Sequence, residues 1–126
     1  MEKSDVKQSA VQFLKLIVDG RIDDAYQKYA DMDGKHHNIF TPAGFRALKN
    51  AMKENDIRFP GKRLVIKDVL VDGDLVAVHS NLILYKRKSN GLIAVHLLGF
   101  KNGKMVEFWD CAQEISMNLL NKDGAF

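Results

Sequence analysis

The amino-acid sequence predicts an α+β fold in which about three N-terminal helices pack on a strongly curved, mostly antiparallel sheet. Two observations carry this prediction. In the first half of the chain, apolar residues recur at three- and four-residue spacing, which is typical of helices with one buried face. After Pro60 and Gly61 the chain changes to runs of β-branched residues and leucine, separated by turn signals at short intervals. Helices followed by strands indicate that the helices cover one face of the sheet.

The first predicted helix begins near Val6. Ser4 or Asp5 can cap its amino end, and Gly20 can take the left-handed conformation that closes it. Its apolar face consists of Val6, Ala10, Phe13, Leu14, Ile17 and Val18. Polar residues occupy the other side, so the segment is predicted as an amphipathic helix that packs on the sheet.

Two further helices are predicted before Pro60. The second covers roughly residues 22–30 and is followed by DMDGKHHNIF, residues 31–40, which has no helical period and is predicted as a loop. Thr41 and Pro42 are a cap and a first-turn signal for the third helix. The apolar face of that helix consists of Phe45, Leu48, Ala51 and Met52.

Four strands are predicted in the second half of the chain. They are RLVIKDVLV, residues 63–71; DLVAVHSNLILY, residues 74–85; LIAVHLLGF, residues 92–100; and KMVEFWDCAQEI, residues 104–115. The turn signals between them are Asp72-Gly73, residues 86–91 and Asn102-Gly103. Connections this short predict antiparallel pairing of consecutive strands, with the basic run Lys86-Arg87-Lys88 as a solvated hairpin tip.

Length, charge and cysteine content limit the classes of function. Residues 1–126 are predicted to form one domain, with about residues 116–126 as a loose tail. The 19 Lys and Arg residues exceed the 16 Asp and Glu residues by 3, and their dispersal gives little support for a nucleic-acid partner. Cys111 is the only cysteine, which excludes an intramolecular disulfide. With no secretory pattern and no run of about 18 apolar residues, a cytoplasmic protein without a membrane partner is expected.

Both faces of the predicted sheet carry apolar residues. One face can pack on the helices, whereas the other needs a different cover. The residues assigned to that outer face are Leu82, Leu84, Val95 and Leu97. A second copy of the chain is the simplest cover, so a homodimer through the outer sheet face is predicted.

The register of the last hairpin decides what Asp110 can do. With a two-residue turn at Asn102-Gly103, Phe100 lies opposite Met105, and Asp110 shares a face with Val95 and Leu97. With Gly103 left-handed in a three-residue, bulged loop, the faces exchange. Asp110 then lies opposite Ala94, and His96, opposite Phe108, is its diagonal neighbour. We expect this second register, which brings a carboxylate and an imidazole together on the helix-facing side.

Two stretches resemble a known family. GDLVAVHS, residues 73–80, and IAVHLLGFKNGKMVEFWD, residues 93–110, are similar to the SnoaL-like polyketide cyclases of the nuclear-transport-factor-like superfamily. The resemblance covers roughly the carboxy-terminal half and implies a cone-shaped α+β barrel. It implies that Asp110 is the general acid/base and that His96 helps to hold the substrate. The chain departs from the family at Ala94, where the cyclases have a polar residue.

The predicted substrate-binding residues surround this pair. They are His37, Asn38, His79, Asn81, Ala94 and Phe108. The segment KHHN, residues 35–38, is similar to a His-Asn of the family, which places His37 and Asn38 at the pocket rim. The alternation of Ala77, His79 and Asn81 puts small or polar groups on one strand face, which is either pocket wall or the wetter face. No pair of these residues has the spacing of a metal site, so neither metal nor cofactor is expected.

Each assignment has a structural alternative. Asp110 can be a solvated or ion-paired strand end, and His96 a core histidine. The leading hypothesis is a pocket for an apolar or carbonyl-containing small molecule, in which Asp110 supports an isomerase, cyclase or aldol-type lyase. The alternative is a binding or dimerisation domain that keeps the fold without the chemistry, which Ala94 favours.

Overall fold

The computed structural model describes residues 3–84 and 91–126. The elements in chain order are α1 (Lys3–Val18), α2 (Ile22–Tyr29), β1 (Ala30–His36), α3 (Phe45–Arg58), β2 (Arg63–Asp72), β3 (Leu75–Ile83), β4 (Leu92–Lys101) and β5 (Lys104–Glu114). Three helices on a mostly antiparallel sheet confirm the predicted α+β class. The predicted hairpin tip Lys86-Arg87-Lys88 lies outside the described residues.

The five strands form one sheet in the order β1-β5-β4-β3-β2. The neighbours β5, β4, β3 and β2 pair antiparallel, and β1 adds to β5 in parallel. α1 contacts β2 and β3, and α3 contacts β1, so the helices cover one face of the sheet. We call this the inner face, to which Val76, Val78, Leu98 and Phe108 belong, and the opposite one the outer face.

The first strand corrects the sequence prediction. Residues 31–40 were predicted as a loop, but Ala30–His36 is a strand whose last residue pairs with Phe108 of β5. A Cβ atom on Gly34 would collide with the Phe45 ring and would lie 2.7 Å from the Val106 carbonyl oxygen. The strand therefore fits by close packing against distant residues, which local propensity does not report.

The helix ends agree with the prediction in part. α1 already includes Ser4 and Asp5 instead of being capped by them, whereas Gly20 is left-handed with a φ of 83°, as predicted. The cap predicted at Thr41 and Pro42 is wrong, because α3 begins only at Phe45. Thr41 instead donates to Asn38 in the loop that follows β1, and the Pro42 carbonyl accepts from His36 at the end of β1.

A cluster of aromatic rings lies between the helices and the inner face. Phe13 of α1 meets Tyr26 edge to face with the ring centroids 5.2 Å apart, and Phe108 of β5 lies 6.2 Å from Phe13. Tyr26 also packs on Phe45, at 5.9 Å. These rings are buried and anchor all three helices to the sheet.

The hairpin of β4 and β5 has a register that neither sequence alternative anticipated. Asn102 and Gly103 are both left-handed, with φ of 52° and 81°, and form a two-residue turn with Phe100 opposite Met105. The three-residue loop was therefore wrong. A bulge then follows, because Gly99 pairs with Glu107 and leaves Val106 as the extra residue. The bulge shifts the rest of the pairing by one residue and exchanges the faces.

The outer face is partly covered by the chain's own end. Residues 116–126 form no helix or strand, yet the Phe126 ring lies 5.5 Å from the His79 ring and 5.1 Å from Lys67 Nζ. Two of the predicted outer residues are corrected: Leu82 lines an inner cavity, and Leu84 is buried. Val95 and Leu97 do belong to the outer face. Among the described helices, none is long and apolar enough to cross a membrane.

Candidate functional site

A cavity of about 550 Å³ lies between α1, α3, the loop after β1 and the inner face of the sheet. Its wall is mostly apolar. The residues used below are Asn38, Phe40, Thr41, Arg58, Lys62, Leu64, Leu82, His96, Phe108 and Asp110. A recess of about 460 Å³ shares five of these residues, Asp110 and His96 among them, so the two spaces meet at the same polar end. The volume matches that of a pocket for a small organic molecule.

Asp110 is half-buried at this polar end, where its carboxylate accepts hydrogen bonds from one amide. Asn38 Nδ2 lies 3.1 Å from each of the two carboxylate oxygens. One nitrogen shared between two oxygens leaves acceptor positions on both oxygens unused. Asn38 therefore orients the carboxylate and leaves it able to accept a proton from a ligand.

The loop after β1 fixes the position of Asn38. Asn38 Oδ1 accepts hydrogen bonds from the Phe40 N–H at 2.9 Å and from Thr41 Oγ1 at 3.1 Å. The Asn38 N–H donates to His36 Nδ1 at 3.1 Å, so the other ring nitrogen of His36, Nε2, carries the proton and donates to the Pro42 carbonyl oxygen at 2.7 Å. Both polar ends of the Asn38 amide are thus engaged, which assigns its orientation.

His96 faces Asp110 directly across β4 and β5. The sequence predicted a diagonal contact, so the bulge brings the two residues closer than expected. The imidazole is tilted over the Phe108 ring at 5.7 Å, and its Nδ1 atom is buried with no hydrogen-bond partner among the described residues. Burial lowers the pKa of His96 below 6.5, and the opposing effect of the Asp110 charge is smaller. His96 is therefore a neutral imidazole at pH 7.

Tyr26 lies behind the same carboxylate and was not singled out from the sequence. Its hydroxyl donates to Met52 Sδ at 3.2 Å, and sulfur is a weak acceptor. Burial raises the pKa of Tyr26 well above its ordinary value, and the charge of Asp110 raises it further. The phenol therefore stays protonated beside the site.

Ser80 is a second inner-face residue that the sequence analysis passed over. It is fully buried opposite Ala94, and its Oγ atom has no hydrogen-bond partner within the described ranges. The signal was present in the alternation of β3, because Ser80 continues the face of Val76 and Val78. The inner face thus carries two buried polar atoms without a partner among the described residues, Ser80 Oγ and His96 Nδ1, although Ser80 does not line the cavity.

His37 points away from the carboxylate, although it lines the recess. Its ring stacks on Trp109 with centroids 5.1 Å apart, and its Nε2 atom donates to Glu107 at 2.6 Å. Trp109 and Glu107 belong to the outer face. The structure thus separates the predicted pair: Asn38 reaches Asp110 and His37 does not.

His79 and Asn81 require a correction. They were predicted to share the pocket with Asp110, but their strand partners Val95 and Ile93 place them on the outer face. His79 Nδ1 donates to Asp68 at 2.9 Å instead. Successive residues of a strand point to opposite faces of the sheet. His79 and Asn81 therefore do not line the cavity, which lies on the inner face with His96.

Ala94 and Phe108 do belong to the wall. Ala94 lines the recess and lies opposite Ala112, so this row of the sheet presents two methyl groups and no polar side chain. Phe108 lines the main cavity and pairs with Leu98, whereas the predicted partner was His96. Within residues 3–84 and 91–126, no group of three or more His, Cys, Asp or Glu side chains is arranged to hold a metal ion.

Comparison with solved structures identifies the fold. A SnoaL-like protein of unknown function from Burkholderia thailandensis has a TM-score of 0.73 at 14% identity, over 90% of this chain and 98% of that chain. An NTF2-like protein of unknown function from Burkholderia xenovorans has a TM-score of 0.73 at 14% identity, over 97% and 91%. A proposed isomerase of the SnoaL-like family from Agrobacterium tumefaciens has a TM-score of 0.69 at 10% identity, over 86% and 97%.

The chain therefore has the cone-shaped fold of NTF2-like and SnoaL-like proteins, as the resemblance implied. No protein-family model matches the sequence, and no curated protein is significantly similar to it. At identities of 10 to 14% the likeness establishes the fold alone. The activity has to be argued from the site, because this fold hosts unrelated functions.

Proposed function

We propose that the protein is a small-molecule enzyme that moves a proton next to a carbonyl group, with Asp110 as its acid and base. The class of reaction is isomerisation, cyclisation or aldol-type cleavage. One observation carries the proposal: a carboxylate oriented by Asn38 faces a neutral imidazole at the polar end of a largely apolar cavity. The isomerase assignment of the Agrobacterium protein with the same fold is consistent with it.

In the proposed reaction, one oxygen of Asp110 takes a proton from the carbon next to a ligand carbonyl. The electron pair of the broken C–H bond moves toward the carbonyl oxygen and forms an enolate. In an isomerisation, the protonated Asp110 then returns the proton to another carbon of the enolate. In a cyclisation, the enolate carbon instead forms a bond to a second carbonyl carbon of the ligand, and the protonated Asp110 gives its proton to the alkoxide oxygen that results. Aldol-type cleavage is the reverse: Asp110 takes the hydroxyl proton, the C–C bond breaks to give an enolate and a carbonyl, and Asp110 returns the proton to the enolate carbon. These steps involve no net oxidation or reduction, so they need no oxidant, reductant or cofactor.

His96 is proposed to stabilise the enolate oxygen. A neutral imidazole has one N–H donor, and the Nδ1 atom of His96 is buried without a partner among the described residues, where a bare acceptor nitrogen costs less than an unpaired N–H. We therefore expect Nε2 to carry the proton and to meet the ligand from the cavity side. A hydrogen bond to developing negative charge is stronger in a site from which water is excluded.

The experiment that tests this function follows proton exchange directly. Small ketones, aryl ketones and β-keto acids are first screened by thermal shift, and each compound that stabilises the protein is then incubated with it in D2O. Proton NMR reports loss of the signal from the carbon next to the carbonyl. We expect catalysed exchange by the wild type and exchange slower by about 10²–10⁴-fold by Asp110→Asn. Binding without exchange by the wild type, for every compound that binds, contradicts the enzymatic proposal.

A non-catalytic binding domain is the second candidate, and Ala94 is the observation that favours it. The cyclases have a polar residue at this position, whereas here Ala94 and Ala112 contribute only methyl groups to the recess. Few groups are then left that can bind an enolate oxygen. In the exchange experiment this candidate predicts tight binding with equal, unmeasurable exchange for the wild type and Asp110→Asn.

We also propose that the outer face forms a homodimer. Apolar side chains remain exposed there, and Leu70 at 67%, Leu75 at 38% and Val95 at 37% are the most accessible. The chain's own end covers another part of this face, near His79, Lys67 and Ile93. Sedimentation equilibrium at micromolar concentration should give twice the 14.3 kDa monomer mass, and Leu70→Glu should return it to the monomer. A wild type that sediments only as a 14.3 kDa species overturns the dimer.

A further inference from the structure

We propose that the ligand of this cavity carries an acid group, such as a carboxylate, which binds at the end lined by Lys62 and Arg58. The inference rests on the proposed function, which places the reacting carbonyl of the ligand at Asp110. It adds that the opposite end of the ligand is negatively charged. The ligand class is then an apolar carbonyl compound with one anionic terminus.

Lys62 is the main observation. Its side chain is only 5% exposed, which is rare for lysine, and it lines the cavity. The ammonium group lies 3.4 Å from Asp56 Oδ1 and 3.4 Å from the Phe59 carbonyl oxygen. Charge-assisted bonds of this type are normally about 2.7–2.9 Å long. An ammonium group has three N–H donors, so two long contacts leave capacity for a further, closer acceptor.

The charge balance of this end is positive. Arg58 lines the same cavity, and no ion pair to it is present in residues 3–84 or 91–126. Asp56 is the single carboxylate paired with Lys62. The Lys62 side chain is buried and Arg58 is exposed, so these two cations and one carboxylate leave one net positive charge at this end of the cavity. An anion that enters this end completes the pairing, and the low exposure of Lys62 strengthens its attraction, whereas water screens that of Arg58.

The two polar ends are far apart, and the wall between them is apolar. Lys62 immediately precedes β2, whereas Asp110 is on β5, three strands away in the sheet order. Neighbouring strands are about 4.8 Å apart, so the backbones of β2 and β5 are separated by roughly 14 Å across the sheet. The side chains between them include Leu64 and Leu82. A ligand that reaches both ends therefore needs an apolar body about as long as two fused rings with a short side chain.

A matched pair of fluorescent probes tests the anion preference without a known substrate. The dye 8-anilinonaphthalene-1-sulfonate and the uncharged N-phenyl-1-naphthylamine share the same aromatic body and differ by the acid group. We expect the wild type to bind the sulfonate about 10- to 100-fold more tightly, as one charge-assisted bond provides. Lys62→Met should remove this preference and leave the affinity for the uncharged probe unchanged.

Two further variants keep the test decisive if Lys62→Met does not fold. Asp56→Asn frees the Lys62 charge and should strengthen binding of the sulfonate, and Arg58→Gln should weaken it. Lys53→Met is the control, because Lys53 is also on α3 but pairs with Asp23 outside the cavity. Equal affinity of the wild type for both probes, or a preference that Asp56→Asn and Arg58→Gln leave unchanged, overturns the proposal.

The Asp110→Asn variant separates this inference from the proposed function. It should keep the preference for the sulfonate, because Asp110 is at the other end of the cavity. If Asp110→Asn keeps catalysing exchange while Lys62→Met loses the preference, the acid/base role fails and the anion site stands. If Asp110→Asn stops exchange while the probes bind alike, the acid/base role stands and the anion site fails.

Discussion

Two histidine–aspartate pairs occupy opposite faces of the same sheet. On the inner face, His96 lies opposite Asp110 across β4 and β5. On the outer face, His79 lies opposite Asp68 across β3 and β2, and the two are joined by a hydrogen bond of 2.9 Å. In the outer pair Asp68 is exposed, at 63%, and His79 is half-buried, at 34%, whereas the inner pair lines a cavity.

The difference between the two pairs shows that residue type and spacing alone do not create a functional site. The outer pair has the better hydrogen bond, yet water screens it, and pairs of this kind contribute about 0–1 kcal/mol. The two residues of the inner pair interact less with each other. Asp110 accepts hydrogen bonds from Asn38, and His96 Nδ1 has no partner among the described residues. Unused hydrogen-bonding capacity inside a cavity is what a ligand can use.

The largest expected difference between the pairs concerns proton transfer. Asp110→Asn should lower the rate of exchange at the ligand carbon by about 10²–10⁴-fold, the usual contribution of a general acid or base. Asp68→Asn, the same change on the outer face, should alter the rate less than about twofold because a solvated strand face takes no part in the reaction. The measurement is the exchange rate in D2O at saturating ligand. Equal losses in the two variants would remove the distinction between the pairs.

Asn38 should have the next largest effect. Asn38→Ala removes the amide that orients Asp110 and should lower kcat about 10- to 100-fold, the value of a hydrogen bond to a charged group. Asn38→Asp should lower it further, since two carboxylates then repel each other. His37→Gln is the control on the same loop, and it should change kcat little because His37 bonds to Glu107 on the outer side. A loss confined to KM would indicate that Asn38 acts on binding alone.

The pH dependence of stability distinguishes the two histidines. His96 is neutral in the folded protein because burial lowers its pKa, whereas in the unfolded chain it takes up a proton below its ordinary value of 6.5. The unfolded state therefore binds more protons in that range, and the free energy of unfolding falls as the pH decreases from 6.5 toward the lowered folded pKa. Urea unfolding at pH 7.5 and pH 5 should show a smaller fall for His96→Gln than for the wild type.

The control for this experiment is His79→Gln, which keeps His96 and should keep that fall. Comparing the change between the two pH values, and not the stability itself, corrects for any packing that His96→Gln disturbs. A His96→Gln protein whose stability falls as steeply as that of the wild type would contradict a buried, neutral His96.

The smallest expected effect is at Ser80, on the same face as His96. A buried hydroxyl without a partner is unfavourable, so Ser80→Ala should raise the free energy of unfolding by about 1 kcal/mol. Thr41→Val is the comparison, because it removes a hydroxyl that does bond to Asn38 and should lower stability. Urea midpoints at pH 7.5 measure both. A loss at Ser80→Ala equal to that at Thr41→Val would mean that Ser80 has a partner in solution, such as a bound water.

Much of the fold could be predicted because it is written in local patterns. Patterns such as the apolar spacing of residues 6–18 and the alternation along β3 and β5 depend on neighbouring residues only. Patterns of this kind predicted three helices and four of the five strands. β1 was missed because it is an edge strand stabilised by pairing with β5, more than 70 residues away in the chain. Thr41 and Pro42 were misread for the same reason, since they bond to Asn38 and to His36 at the end of β1.

The candidate site shows a sharper limit. That Asp110 and His96 share a face was predicted, but from a register with the wrong turn, and the bulge at Val106 restored the face. His79 and Asn81 were assigned to the pocket and lie outside it. Lys62 was not predicted as a site residue, because a lysine that follows a helix is normally exposed to solvent. In the folded chain it lines the cavity and is only 5% exposed.

The sequence by itself determined the kind of each element and the α+β class, because helix and strand periods are properties of a few consecutive residues. The tertiary structure decided which side of the sheet each polar residue occupies. A one-residue shift in pairing moves every side chain of a strand to the opposite face, and the energy that selects the register comes from packing against residues far along the chain. Val106 supplies that shift here, and it places Asp110 in the cavity.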